Sequence, residues 1–318
     1  MCDGHGSPPP VTSRRRLFGA LAFALWPWRP GLAGEGERPT PPIPGPRPPS
    51  RPQHVTRAVA APPQTTPPAP PAPPVPPTPG PPATSPQYGT AVPNRTITVA
   101  LPTLPLPVPD GWSEQTLGPT AIGTPMQLLV RHPEGEPRRR MLVVCCIHGN
   151  ELGTVPIAQR LLSVPVPDGV LVAILPALNP DGWATQSRHN AQTVDLNRNF
   201  PWRWAAYDGG PGPASEAETQ AVMGLVQANP WDLAVWIHQP LGYVAAVPPS
   251  DRRYAEAWCA ATGLPYRENL DQHGGGETWT AKMAGVSSML VEVASHDATA
   301  EMLEAHAAGY AAALALLA

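Results

Sequence analysis

From residue 96 onward, apolar runs alternate with polar turns rich in glycine and proline. The run at 142–147, LVVCCI, is partly β-branched and long enough for a strand buried on both faces. Polarity then flips at His148-Gly149-Asn150-Glu151, and residues 152–162 read as a helix. A second buried strand at 169–176 runs into Asn179-Pro180-Asp181-Gly182, a strong turn signal. A third, at 233–237, ends at His238, and a fourth, at 288–291, ends at Glu292. Residues 117–131 read as a hairpin turning at Gly123-Thr124-Pro125, and 96–100 alternate as an edge strand. Ser215-Glu216-Ala217-Glu218 reads as a capping box opening a helix over 219–227, with Glu218 as the cap's partner and not a catalyst. A helix over 299–317 closes the chain. Strands alternating with helices predict an α/β fold, a mainly parallel mixed sheet with helices on both faces.

The first 95 residues follow another pattern. Ser13-Arg14-Arg15-Arg16-Leu17-Phe18 resembles a twin-arginine export motif, followed by an apolar run from Leu17 to Trp26 and a small-residue region ending at Gly34. Residues 1–34 therefore read as an export signal. The apolar run is too short and Ala-rich for a spanning helix, so no membrane span is expected in the mature form. An uncleaved anchor or a basic amphipathic helix are the alternatives. Most of the 49 prolines in the 318 residues precede residue 90. Such a tract cannot build a core, and 35–95 read as a disordered, Pro-rich, semi-rigid linker ahead of one catalytic domain at 96–318. The expected location is periplasmic or cell-wall associated. Charged residues are only 14% and net charge is −3, which argues against a nucleic-acid partner. The four cysteines make no disulfide framework. Cys145 and Cys146, adjacent on one strand, are expected to point to opposite faces as small buried apolar residues.

The strand ends concentrate the chemistry. His148 with Glu151, then Asp181, His238 and Glu292, each follow a buried strand. In a parallel sheet all would lie on one rim, the carboxyl edge where ligands bind. Two histidines and a glutamate suit a catalytic zinc site, with a further carboxylate as base. Taken alone, His-x-x-Glu also fits a turn with two solvated side chains.

The ordered words His148-Gly-Asn-Glu151, Asn179-Pro-Asp-Gly182, Val194-Asp-Leu-Asn-Arg-Asn-Phe-Pro201 and Ser215-Glu-Ala-Glu-Thr219, with Trp279 thirteen residues before Glu292, change the specificity of the signal. Over about 115–318 the chain resembles the zinc carboxypeptidase family, within it the bacterial murein-peptide amidase branch. The resemblance implies one zinc ion per chain on His148, Glu151 and His238. It implies that Asp195 hydrogen-bonds the first zinc histidine and that Asn197 and Arg198 grip a substrate carboxylate. It assigns Arg188 to the scissile carbonyl and Glu292 to the general base. The family spacing puts Glu277 at the base of the leaving-side pocket, where an acid suits a cationic side chain; capping the following helix is its other reading. It also places a cis bond at Gln239–Pro240.

Two departures stand out. Gln239 occupies a position where the family often has a hydroxyl residue, and no tyrosine near Leu270 matches the one that closes over substrate in digestive carboxypeptidases. Trp202 and Trp204 could line the mouth or pack; His189, His273 and His296 read as loop residues or substrate contacts, not ligands. The expectation is an exported zinc amidase acting on a cell-wall peptide, at a γ-D-glutamyl–diaminopimelate bond. The alternatives are an N-acyl amino acid deacylase of the aspartoacylase and succinylglutamate desuccinylase kind, and a catalytically dead wall-binding module.

Overall fold

A computed structural model describes residues 96–268 and 270–318. The expected export signal and the expected linker lie outside the described residues. One eight-stranded sheet organises the domain. Its strands are β1 (Trp112–Pro119), β2 (Pro125–Arg131), β3 (Arg139–Cys145), β4 (Val170–Leu175), β5 (Leu233–His238), β6 (Leu241–Ala246), β7 (Tyr266–Arg267) and β8 (Ser287–Ala294), in the order β1-β2-β4-β3-β5-β8-β6-β7. The four central strands, β4, β3, β5 and β8, are mutually parallel, and antiparallel pairs join β1–β2, β2–β4 and β6–β8. The helices are α1 (Thr154–Leu161), α2 (Pro180–Thr185), α3 (Ala217–Ala228), α4 (Arg253–Thr262), α5 (Gly276–Lys282) and α6 (Ala300–Leu317).

The central strands are apolar throughout because helices cover both faces. Alternation along β3 sorts its side chains: Met141, Val143 and Cys145 join a core with Ile157 of α1, Trp258 of α4 and Tyr310 of α6. Leu142 and Val144 join the opposite core with Val222 of α3, Trp279 of α5 and Phe200. Both cores are buried, so a one-residue slip in register would exchange their contents. Among the described residues no helix is long and apolar enough to cross a membrane.

Several expectations need correction. Residues 96–100 form no strand; Ile97 makes an isolated bridge to Ala298. The strand expected over 142–147 stops at Cys145, because Cys146 takes a φ of 49°. That turn breaks the alternation, so both cysteines enter the same core instead of opposite ones. Both are free thiols, and burial pushes their pKa values well up. The capping box does not form. The cap of α3 is Glu216 without a side-chain bond to the helix, while Ser215 Oγ donates to Glu216 Oε1. Glu218 is fully buried beside Asn190 instead of closing a cap, and burial raises its pKa. The fourth strand continues past Val291, so Glu292 lies within β8.

One close approach fixes the turn after β3. Leu178 N and Asn179 N donate to the carbonyls of Cys145 and Cys146, at 3.0 Å each. This lays the start of α2 against Gly149, where a Cβ would sit 1.9 Å from the carbonyl carbon of Gly182. Backbone meets backbone there, so neither side can yield cheaply. Gly149→Ala is expected to destabilise the domain by about 1–3 kcal/mol, measured as a lower urea midpoint with an unchanged slope.

Candidate metal and catalytic site

Adjacency of β3, β5 and β8 brings the rim residues together. His148 and Glu151 lie on the turn between β3 and α1, and His238 is the last residue of β5. In the β5–β8 pairing His238 stands opposite Glu292. His148 Nδ1 is 2.6 Å from Glu151 Oε1, and His238 Nδ1 is 3.6 Å from the same oxygen. One ligand atom from each of the three residues falls within 4.8 Å of the others, and all three residues are buried.

Glu151 Oε2 and His238 Nε2 are buried without a hydrogen-bond partner. Such atoms carry a desolvation penalty unless something satisfies them. Two imidazoles and a carboxylate form a donor set suited to zinc, so the residues present fit a divalent metal.

Asp195 braces the first histidine. Its Oδ1 lies 3.0 Å from His148 Nε2, leaving Nδ1 toward Glu151. The same oxygen accepts from Asn197 N at 2.9 Å and caps a single 3-10 turn, Leu196–Arg198. Its Oδ2 accepts from Arg188 Nε and Nη2, at 3.0 and 2.8 Å. Burial alone would raise the Asp195 pKa, but His148, with Arg188 and Arg198, holds it well below the carboxylate range. Arg188 thus lines the cavity from a fixed base.

The cavity is about 380 Å³ and is lined by all of the sequence-expected metal, base and substrate residues. Asp195 stands behind the wall. Asn197 Oδ1 accepts from Gly276 N at 2.8 Å. Arg198 donates through Nε to the Tyr207 hydroxyl at 2.7 Å. Gln272, turned with its amide oxygen toward Arg198, accepts from Nη1 and Nη2 at 2.8 and 3.2 Å. Glu277 is fully buried, and neither carboxylate oxygen has a hydrogen-bond partner. The cap of α5 is Gly275 without a side-chain bond, so Glu277 does not cap the helix. Tyr243, on β6 opposite Glu292, forms part of the wall, and burial together with Glu292 and Glu277 raises its hydroxyl to about 12.

Glu292 Oε2 accepts from Leu241 N at 3.3 Å. Burial raises its pKa, with His238 opposing and Glu151 adding to the rise. A carboxylate raised in this way is a stronger proton acceptor than a solvated one. The Gln239–Pro240 bond is cis, as expected.

Other expectations divide. Asp181 bonds Thr124 Oγ1 at 2.5 Å and does not line the cavity. Trp202 Nε1 donates to Asp271, Trp204 Nε1 donates to Gly209 O, and neither indole lines the cavity. His189 pairs with Asp208, and His273 sits beside Arg203. His296 does line the cavity. Sequence reasoning missed Tyr243, Gln272 and Leu290 as lining residues. Gln272 lies two residues past Leu270, where the family's tyrosine has no match, but no spacing marks it; Tyr243 and Leu290 were hidden in apolar strand pattern.

Charge in the metal-free triad sets a pH dependence. Burial alone would raise Glu151, but His148 and His238 outweigh it and lower its pKa from 4.5 to about 2. Burial alone would lower His238, but Glu151, then Glu292 and Glu277, raise it from 6.5 to about 9. Stability from Glu151 is therefore present above pH 4.5 and lost as pH falls toward 2. Stability from His238 is fully present below pH 6.5 and lost as pH rises through 9. The urea midpoint of metal-free protein is expected to fall on both sides of that window, and His238→Ala to flatten the alkaline limb.

A family model described as zinc carboxypeptidase matches residues 104–275. Murein peptide amidase A of Escherichia coli (strain K12) is 31% identical over 137 residues, covering 37% of this chain and 54% of that protein. Murein peptide amidase A of Vibrio campbellii is 27% identical over 146 residues, covering 40% and 58%. The chain thus spans about half the length of the curated relatives it matches. The crystal structure of murein-tripeptide amidase from Escherichia coli O157 superposes with a TM-score of 0.52 at 24% identity, covering 66% of this chain and 93% of that one. Thrombin activatable fibrinolysis inhibitor gives a TM-score of 0.55 at 17% identity, covering 66% and 70%. At these identities the structures show a shared fold. The family match extends over more than half of the chain and takes in the segments that carry His148, Glu151, Asp195 and His238, and on that ground the chain belongs to the zinc carboxypeptidase family.

Proposed function

We propose that the protein is an exported zinc amidase that hydrolyses a peptide bond in cell-wall peptides, at γ-D-glutamyl–diaminopimelate. The observation that carries this reading is Glu277: a fully buried carboxylate with both oxygens unpartnered, in the cavity that also holds Asn197, Arg198 and the triad. A buried, unpaired anion is costly unless a cation meets it. Diaminopimelate offers a side-chain ammonium for Glu277, while Asn197 and Arg198 take the α-carboxylate. The relatives, murein peptide amidases, point to the same class of substrate. The twin-arginine-like segment and the Pro-rich stretch support export and reach toward the wall.

In this reading His148, Glu151 and His238 hold one zinc ion, which when bound supplies Lewis-acid polarisation of water and carbonyl. Asp195 keeps the His148 ring in the orientation that presents Nδ1. Arg198 is held by Tyr207 and Gln272 before substrate arrives, so little freedom is lost on binding. Arg188, fixed on Asp195 and lining the cavity, stands where it can polarise the scissile carbonyl. Glu292 takes a proton from the attacking water and delivers it to the leaving nitrogen. Its burial raises its pKa, which favours the first transfer.

Metal analysis of the purified chain together with turnover of a diaminopimelate-containing tripeptide tests the reading. One zinc per chain and release of diaminopimelate are expected; full metal content without turnover would rule out the substrate. Glu292→Gln should lower kcat by about 10²–10⁴-fold with metal content unchanged. Asp195→Asn should weaken zinc affinity by about 10–100-fold, read by competition with a chelator. Glu277→Gln should reduce kcat/KM on the diaminopimelate peptide by at least about tenfold and hardly change it on an analogue lacking the side-chain amine. Equal loss on both substrates would make Glu277 structural.

A further inference from the structure

His296 follows Glu292 by four residues and lines the cavity, yet none of the steps above uses it. The loop that carries it is fastened on several sides. Gln239 Nε2 donates to the carbonyls of Ser295 and Asp297, at 3.2 and 2.9 Å. Gln239 Oε1 accepts from Gly153 N, beside the first turn of α1, at 2.8 Å. Ser295 N donates to Pro240 O at 3.2 Å. The Asp297 carboxylate accepts from Thr96 N at 2.5 Å and from Ser295 Oγ at 2.6 Å. Ala298 O accepts from Thr98 N and Val99 N. A Cβ at Gly153 would lie 2.6 Å from Gln239 Nε2 and 2.8 Å from Asp297 O, so the fastening needs glycine there. Ser295 itself sits at a φ of 59°. A non-glycine residue persists in that region only when its surroundings over-determine it, and such residues cluster at functional sites.

The position of the loop assigns it an end of the substrate. Asn197, Arg198 and Glu277 come from segments packed on the face of the sheet that holds Leu196, Phe200 and Trp279. The His296 loop runs into α6 and is tied through Gln239 to the start of α1, and both helices pack on the other face. The triad lies on the rim between them. A substrate whose leaving side is held by Arg198 and Glu277 therefore crosses the triad and presents its acyl side to His296.

We infer that His296, held by Gln239, reads the free α-carboxylate that a γ-linked glutamyl residue carries on the acyl side of the scissile bond. This rests on the proposed substrate. Linkage through the side-chain carbonyl leaves the α-carboxylate free a few bonds from the bond that is cut; an ordinary α-linked peptide has no anion there. An imidazole has an N–H donor in either protonation state, so the contact requires no titration. Gln239 acts as a positioning residue: it takes the place of a hydroxyl residue common in the family and spans all three segments.

The test uses two γ-D-glutamyl–diaminopimelate peptides, one with the α-carboxylate free and one with it converted to a primary amide. Binding is measured by calorimetry on the zinc-loaded Glu292→Gln variant, and turnover on the unaltered full-length chain. The acid peptide is expected to bind about tenfold more tightly than the amide. His296→Ala in the same background should remove that preference, and His296→Gln, which keeps an N–H donor, should restore part of it. Gln239→Ala should raise KM for the acid peptide more than for the amide. Equal binding of the two peptides with His296 present, or equal weakening of both by His296→Ala, would overturn the assignment and leave the substrate reading standing. Absence of turnover and binding for both peptides would overturn the substrate reading and this inference with it.

Discussion

Everything at the rim depends on one awkward charge. Glu151 is a carboxylate removed from water and placed between two imidazoles. A charge in that position is tolerable only with opposite charge at contact distance. Without metal, Glu151 draws it from His238, whose pKa it raises. A divalent cation would provide it better, because each of the three residues offers it one donor atom within a small buried space. Metal loading would therefore displace protons and stabilise the folded rim in the same event. The surroundings serve that charge: Asp195 behind His148, Gly149 tight against Gly182, and Glu292 raised by burial on the neighbouring strand.

The part of the fold legible in the sequence was the part written in strong patterns. Residues 142–145, 170–175 and 233–237 are buried on both faces, so their apolar runs are uninterrupted and short, and polarity reverses where each strand ends. Because those strands are parallel, the reversals at His148 and His238 share an edge. The shared rim could be read for that reason, while the family resemblance supplied the reading of its residues as a zinc set. Helix α6 was legible as a helix over 299–317; the structure makes Thr299 its cap, with a side chain that accepts from Met302 N.

What could not be read depends on contacts between distant segments. The capping pattern at Ser215–Glu218 has the right spacing, but Glu216 bonds Asn190 and Ser215 instead, which takes the chain out of the box geometry. The alternation at 96–100 suggests a strand, yet its one bridging partner is a loop residue, Ala298. Cys146 carries nothing in its sequence to announce a positive φ. Gln272 reaches Arg198 across a long sequence separation, and no local spacing predicts that. Glu277 was legible as a residue, but its choice between capping and cavity depended on the Gly275 backbone, which only coordinates reveal.

The pairing of His238 with Glu292 has a consequence for how the domain fails. These two residues face one another across the β5–β8 ladder. Their separation is set by the spacing of peptide hydrogen bonds between adjacent strands, not by the fit of side chains in a pocket. A ladder spacing does not stretch by fractions: it is either made or broken. Loosening of either core leaves the separation of ligand and base unchanged until the strands part. In the proposed reaction catalytic competence would then follow the ladder as a whole, while recognition by the loops at 270–276 and 295–297 could drift by degrees around it.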